Sequence, residues 1–546
     1  MSSANANIAR HLALMAAAQP ATAALKIPRG RTRTGDIDYL TLNFAELDAE
    51  AAAWSARLVG AGVRRGDRTL VMVRQGLPLI ASVFALFRLG AVPVVIDPGM
   101  GLKNFLACVA HSRPRALVGI PVARLLSRVF RSAFSTVEIR IAASSSLTAR
   151  ISSTAPSSTL KAQLATSSPD ELAAILFTSG STGAPKGVCY EHGMFDAQVR
   201  LIRETYAIAP GEIDLPLLPI FALFNPALGM TTIVPELDPR RPADINSAKI
   251  VQAIRQENVT NSFGSPTLWK KIGDQCRAQN LTLPSLRRVL CAGAPVPAAL
   301  WKDSRVFLTA GRLHSPYGAT EALPVATISS DEIDFASVRG ACVGRPLAAN
   351  EIKIIAVTDA SVATLAAARE LPCGEIGEII VRGPAVTKRY DALPDATALA
   401  KIADGATVWH RMGDCGYLDA DGRLWFCGRK AERVETVNGT HYTEPCERVF
   451  RIHPHAARCA LVGLGERGAQ RPALVVETVL ADSSVCRPLA RELRTLALAH
   501  KHTAAINLFY FRPKFPVDVR HNAKIHRLTL AKWAATAKGF ESSPKR

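Results

Sequence analysis

The chain has 546 residues, 48% of them hydrophobic and 21% charged, with a formal net charge of +20. That length exceeds what one hydrophobic core fills, and the composition is that of a packed globular protein, which excludes a disordered or fibrous chain. The eleven cysteines are scattered without a CxxC pair, which argues against a zinc site or a disulfide framework and leaves them as small core residues.

The basic residues spread along the chain without a dense run and without a zinc-finger, RNP or basic-zipper pattern, so nucleic acid is not an expected partner. The excess charge suits either a solvated basic surface around a site for anionic substrates, or attraction to an acidic partner or an anionic membrane. The N-terminal residues lack the long apolar core of a targeting segment. The most apolar stretch, 76–87, lies between Arg74 and Arg88 and falls short of the roughly 20 residues of a membrane span. The expected location is cytoplasmic, with peripheral attachment to a membrane left open.

In chain order, residues 68–74 (RTLVMVR) read as a strand, 78–89 as a helix and 91–96 (AVPVVI) as the next strand, ending at Asp97-Pro98-Gly99. Residues 116–120 and 137–142 continue the alternation, which predicts parallel α/β architecture. Residues 143–169, rich in Ser, Thr and Ala, read as a surface connection. A strand is predicted over 171–177, a helix after Glu191-His192, and a second α/β stretch over 213–326. Residues 340–428 read as β-rich, with turns at Cys373-Gly374, Arg382-Gly383-Pro384 and Asp421-Gly422. The strongest boundary falls at Gly428-Arg429-Lys430. It divides the chain into a large N-terminal α/β domain with parallel-rich sheets, 1–428, and a small α+β domain, 429–546, with strands near 460–463 and 474–477 and a helix over 485–500.

The chemistry starts at residues 178–188, TSGSTGAPKGV. Gly180, Gly183 and Gly187 free the backbone to wrap an anion, and successive N–H groups form a nest for phosphate oxygens. Thr178, Ser179, Ser181 and Thr182 add hydroxyls, and Lys186 adds an ammonium. It is not a P-loop of the Walker type, because Lys186 sits between Pro185 and Gly187.

This string resembles the phosphate loop of the adenylate-forming superfamily of acyl-CoA synthetases, luciferases and nonribosomal peptide adenylation domains. The resemblance implies a large N-terminal domain with a small mobile C-terminal one, and ATP with Mg²⁺ as reactants. It implies further roles in order along the chain. Gly293, Ala294 and Pro295, in CAGAP, line the adenine pocket. In YGATE, Tyr317 stacks on adenine beside Gly318, Thr320 meets the α-phosphate region, and Glu321 holds Mg²⁺. An aromatic face suits a purine and a carboxylate suits a hard cation. Asp414, in MGDCGY, binds the ribose hydroxyls, and Arg429 also reaches the ribose. Lys430 stands at the hinge, where many relatives carry Asp. Lys524, in PVDVRHNAKI, is the C-terminal catalytic lysine, preceded by Ala523 where many relatives have Gly. It neutralises charge as the carboxylate attacks phosphorus.

Residues 217–230 (LLPIFALFNPALGM), from Pro219 to Met230, lack the histidine that many acyl-CoA synthetases carry there. With FGSP at 263–266, YGATEALP at 317–324, the stretches around Asp414 and Arg429, and the tail at 516–525, they resemble the olefin β-lactone synthetases of bacterial long-chain hydrocarbon biosynthesis. That resemblance implies adenylation of a long-chain 2-alkyl-3-hydroxy acid and closure of its own hydroxyl onto the acyl carbon. It also implies pathway partners: a thiolase-like condensing enzyme, a reductase and a lactone decarboxylase. A long-chain fatty acyl-CoA ligase or fatty acyl-AMP ligase shares every ATP motif and is the alternative. The apolar residues 221–230 are either an acyl pocket or ordinary core. His192, His410 and His441 are candidates by residue type for the base in lactone closure, with structural roles the alternative for each.

Overall fold

The computed structural model describes residues 5–143, 164–178, 184–238, 244–335, 337–456, 458–478, 483–517 and 525–542. A six-stranded sheet runs in the order Ile139–Ala142, Ala116–Gly119, Arg68–Met72, Val92–Ile96, Leu172–Thr178, Lys186–Glu191. Its strands are parallel up to the last pair, which is antiparallel. Leu70, Val94, Leu117 and Ile175 are fully buried, as expected of a parallel sheet covered on both faces. The strand and helix starts predicted for this stretch hold to within a few residues.

A second sheet contains fourteen strands among the described residues. Its first part is parallel through Asn261–Gly264, Arg288–Cys291 and Arg312–Ala319. It then turns antiparallel through Ala322–Ser329 and Ala341–Pro346 to Leu424–Arg429, Thr407–Leu418, Gly377–Arg382 and Glu351–Ile355. The N-terminal hairpin Ala23–Arg31 and Ile37–Asn43 joins its edge beside Thr231–Ile233. No strand was expected there, because the alternation in 23–43 is broken by Pro28, Gly30 and Gly35.

Helix Leu77–Leu89 lies in the core that joins the two sheets. Residues Ile80 to Phe87 are buried in one cluster with Leu25 and Val71. This explains why its sequence is apolar all round without being a membrane span. Gly90 ends it in the left-handed conformation, at φ 69°. Helix Phe44–Gly60 begins with a reciprocal cap: Asn43 Oδ1 accepts from Glu46 N and Glu46 Oε2 accepts from Asn43 N, both at 2.8 Å.

Beyond Arg429 the chain builds a separate four-stranded sheet from Cys459–Leu464, Arg471–Glu477, Leu508–Arg512 and Phe540–Glu541. Period-two alternation divides its side chains between two cores. Leu461, Leu474 and Phe509 pack with Phe450 and with Leu493 of helix Ser483–Leu498. Ala460, Val462 and Val475 pack with Leu530 of helix Arg527–Ala534. Under that second helix, Glu447 is fully buried and held by two arginines. Arg527 donates from Nε at 2.7 Å and from Nη2 at 2.8 Å, and Arg451 from Nη2 at 2.6 Å. Arg527 also reaches Glu432 at 3.1 Å. These cations hold the Glu447 carboxyl below its ordinary range despite burial.

Removing Arg527 strips two hydrogen bonds from fully buried Glu447 and leaves Arg451 alone to compensate that carboxylate. Arg527→Met is therefore expected to lower stability by about 3 kcal/mol in a denaturant titration, while Arg423→Met, at an exposed pair, changes it by less than about 1 kcal/mol.

Candidate active site

The glycine-rich loop connects two antiparallel strands, with Thr178 opposite Lys186. It therefore bridges a hairpin at the edge of the six-stranded sheet. Ser179, Gly180, Ser181, Thr182 and Gly183 lie outside the described residues. Gly187 must stay small: a Cβ there would meet Phe177 Cζ at 2.8 Å.

Thr320 and Glu321 form the two-residue tip of another hairpin, between Arg312–Ala319 and Ala322–Ser329, where Ala319 faces Ala322. A Cβ on Gly318 would lie 2.6 Å from Ala322 O, so this bend excludes any larger residue. Tyr190 Oη donates to Thr320 O, and Gln198 Nε2 donates to Leu323 O at 2.9 Å. The glycine-loop hairpin and the helix after it thus grip the second hairpin.

The segment from Thr387 to Asp391 ties the two together. Cys189 N donates to Arg389 O at 3.2 Å and Asp391 N to Gly187 O at 2.7 Å. Arg68 clamps the Asp391 carboxylate at 2.7 and 2.8 Å. From this segment Tyr390 Oη donates to Glu321 Oε1 at 2.8 Å, while Lys186 Nζ lies 4.8 Å from the centre of the Tyr390 ring. One tyrosine thereby connects the lysine of the first motif to the carboxylate of the second. Thr387 holds Glu321 O with its N–H at 2.9 Å and its hydroxyl at 3.1 Å.

Beneath lies Lys401, buried, with Nζ donating to Thr387 O and to Thr387 Oγ1 at 3.3 Å. Burial pushes its ammonium down to about 7, against the pull of Glu321. His410 is buried beside it, with Nδ1 3.2 Å from Ala400 O. Burial and the nearby Lys401 and Lys186 hold this imidazole neutral. Lys401, Tyr390 and Thr387 were not singled out in the sequence. A lysine inside an otherwise apolar strand, AKIAD, was the available signal.

On the other side of the hairpin, Asp414 faces Arg429 directly across an antiparallel pair, Oδ1 to Nη1 2.7 Å. Tyr317 Oη donates to Asp414 Oδ2 at 2.6 Å. Burial, then the Asp414 charge, hold the Tyr317 phenol protonated, and Arg429 is stabilised as a cation chiefly by Asp414. Gly293 adopts φ 93° just past strand Arg288–Cys291, which runs parallel to the strand carrying Tyr317. The turn of Gly293, Ala294 and Pro295 thus sits at the carboxyl end of a parallel strand, where open α/β sheets bind ligands.

Lys430 follows at once. Its Nζ lies 2.9 Å from Glu378 Oε1 and donates to Thr358 O at 3.1 Å. Glu378 is fully buried and also takes Arg411 Nη2 at 2.6 Å. Lys524 lies outside the described residues, three positions before Arg527. Of the other histidines, His192 Nδ1 accepts from Ile8 N at 3.3 Å and burial lowers it to about 4. His441 Nδ1 lies 3.0 Å from His502 O.

Residues from the 221–230 segment line an apolar cavity with Tyr206, Phe263 and Pro324. Phe221 stacks on Phe263 with ring centres 3.6 Å apart. The cavity also meets buried Asp214, which accepts from Asn261 at 2.6 Å and Asn225 at 2.8 Å and which burial raises to about 6.

This arrangement is that of the AMP-binding enzyme family, to which the chain belongs: the family's sequence model matches residues 15–391. The chain is 44% identical to the olefin β-lactone synthetase of Xanthomonas campestris, covering 97% of each protein, and 44% identical to that of Stenotrophomonas maltophilia, covering 97% of this chain and 98% of that one. Its fold superposes on an amide bond synthetase of Marinactinospora thermotolerans with a TM-score of 0.76 at 23% identity, over 96% of this chain and 99% of that one. It also superposes on the o-succinylbenzoate coenzyme A synthetase of Bacillus subtilis in complex with ATP and magnesium ion, with a TM-score of 0.74 at 23% identity, over 95% and 98%.

A lysine whose pKa is depressed by burial costs stability where it must be charged inside the fold, below pH 7, and ceases to do so as both states become neutral near pH 10. Native stability therefore rises across that window on its account. Lys401→Met is expected to remove this rise, so that melting curves from pH 6 to 10 show the wild type gaining on the variant as pH increases.

Proposed function

We infer that this chain is an AMP-forming ligase that converts a long-chain 2-alkyl-3-hydroxy acid to a β-lactone through an acyl-adenylate. The observation that carries the choice of product is the 44% identity over 97% of the chain to olefin β-lactone synthetases. The adenylation half is supported by Lys186 and Glu321 on two hairpins bridged by Tyr390, and by Tyr317, Asp414 and Arg429 in contact beside the second.

The nucleotide lies with its adenine at Tyr317 and the 293–295 turn, its ribose at Asp414 and Arg429, and its phosphates at the loop from Thr178 to Lys186. The residues present fit Mg²⁺: Glu321 is a carboxylate oriented by the Tyr390 hydroxyl, an oxygen setting that suits a hard cation. A bound Mg²⁺ would neutralise phosphate charge there. A substrate carboxylate oxygen attacks the α-phosphorus, and the bond to pyrophosphate breaks. Lys186 and Lys524 stabilise the charge that develops. The substrate's 3-hydroxyl then attacks the acyl carbon, its proton passes to a base, and AMP leaves. Tethering the hydroxyl to the acyl group makes this step unimolecular. Phe221 and Phe263 give the apolar wall against which an alkyl chain packs.

Residues 429–546 form the mobile domain, with Lys430 as the pivot and Arg527 anchoring the segment that carries Lys524. The pathway partners implied by such a product are a thiolase-like enzyme, a reductase and a lactone decarboxylase.

Incubation with ATP, Mg²⁺ and a racemic 2-alkyl-3-hydroxy fatty acid is expected to yield AMP, pyrophosphate and a β-lactone without coenzyme A. Formation of a thioester with coenzyme A and no lactone without it would establish an acyl-CoA ligase instead, and arrest at the acyl-adenylate an acyl-AMP ligase. Lys524→Ala is expected to slow pyrophosphate release at least about 100-fold, the scale of losing a charge-stabilising group. Lys430→Pro is expected to leave thermal stability near wild type and to slow turnover; unchanged turnover would remove the pivot from the mechanism.

A further inference from the structure

Helix Pro121–Val129 packs on the outer part of the six-stranded sheet, between Ala116–Gly119 and the edge strand Ile139–Ala142. Its inner face is set by Ala123 and Ser127, both essentially inaccessible. On the opposite side Val122, Leu125 and Val129 are 61%, 58% and 63% exposed. Their spacing of three and four places them in one stripe along the helix. Single exposed aliphatic side chains are ordinary, but three in line on a nine-residue helix are a face without a partner among the described residues.

What borders the stripe decides what it meets. Arg124 and Arg128 flank it on the same helix, and Arg131 follows directly after. None of the three pairs with a carboxylate among the described residues. By contrast, Arg115 on the same sheet is neutralised by Asp67 and Glu138. The surrounding sequence is equally one-sided: from 98 to 169 the chain carries nine Lys and Arg against a single acidic residue, Glu138. Aliphatic residues beside arginines, on a helix lying flat on the surface, match the boundary between anionic headgroups and acyl chains.

We propose that the outer face of helix Pro121–Val129 is a docking surface for anionic membranes, with Val122, Leu125 and Val129 entering the headgroup boundary and Arg124, Arg128 and Arg131 meeting lipid phosphates. No helix among the described residues is long and apolar enough to cross a membrane, so the contact is superficial and reversible. For an enzyme whose proposed substrate carries two alkyl chains, such docking holds the protein at the phase where that substrate collects. The surface itself does not depend on that reading, because vesicle binding is measured without substrate.

The test is co-sedimentation of the full chain with vesicles of phosphatidylcholine alone and of phosphatidylcholine mixed with phosphatidylglycerol. The wild type is expected to sediment with the anionic vesicles, to remain in solution with the neutral ones, and to be released by high salt. Leu125→Glu/Val129→Glu and Arg128→Ser/Arg131→Ser are each expected to weaken binding at least about five-fold, the scale of one surface cation at an anionic bilayer. Val306→Glu, at another exposed aliphatic site, leaves binding unchanged, and unaltered melting curves show that the variants fold. The proposal fails if the wild type ignores anionic vesicles or if the two helix variants bind as it does. It also fails if the stripe instead mediates a dimer that Leu125→Glu dissolves without any vesicle binding.

Discussion

Glu321 and Lys186 belong to different sheets, and everything at the candidate site depends on how those sheets are held together. Lys186 begins the edge strand of its sheet and Glu321 sits at the tip of a hairpin inside the other, and a hairpin tip alone is a mobile place for a charged group. The five residues from Thr387 to Asp391 remove that freedom. Their backbone bonds to the strand Lys186–Glu191, and Arg68 clamps their end through Asp391. Tyr390 and Thr387 then reach across to Glu321. The Glu321 carboxylate and the Lys186 ammonium are thereby fixed relative to each other, which is the condition for electrostatic stabilisation without reorganisation. Lys401 supports this fastening from below at the cost of burying an amine.

The Asp414 side of the candidate site rests on a simpler device. Asp414 and Arg429 are opposite partners in an antiparallel pair, so the register of two strands alone places carboxylate against guanidinium. The strand that ends at Arg429 runs without interruption into the turn Lys430–Glu432. The side chains on either side of that junction are tied to different places: Arg429 to Asp414, Lys430 to buried Glu378. Glu378 already holds Arg411, so Lys430 is a second cation on a carboxylate that one cation satisfies. A contact of that kind can be exchanged for another more readily than a sole partner. Glu432, next in the same turn, takes Arg527 from the helix that follows Lys524. Three separate ion pairs, at Arg429, Lys430 and Glu432, thus lie along four consecutive residues of this junction.

Much of this architecture was legible in the sequence. Alternating apolar runs and helical patterns located most of the first six-stranded sheet, because a parallel strand buried on both faces must be apolar throughout. The edge elements were not legible. The strand Lys186–Glu191 was hidden behind the glycine loop, and the N-terminal hairpin behind Pro28, Gly30 and Gly35, since edge pairing tolerates mixed composition. The helix Ser483–Leu498 was placed to within two residues, even with Pro488 inside it.

By itself, the sequence determined which groups are candidates to meet a nucleotide, because hydroxyls, glycines, a tyrosine, carboxylates and cations in a set order are chemistry written in residue type. Tyr317, Glu321, Asp414 and Arg429 could all be named from it. Only the tertiary structure decided which of them touch, and through what. Tyr390 lies far along the chain from both Lys186 and Glu321, Lys401 looks like one more surface lysine in a strand, and Val122, Leu125 and Val129 look like core. Whether a side chain is buried, shared or exposed depends on what the rest of the chain lays against it, and that information is distributed over all the residues that do the covering.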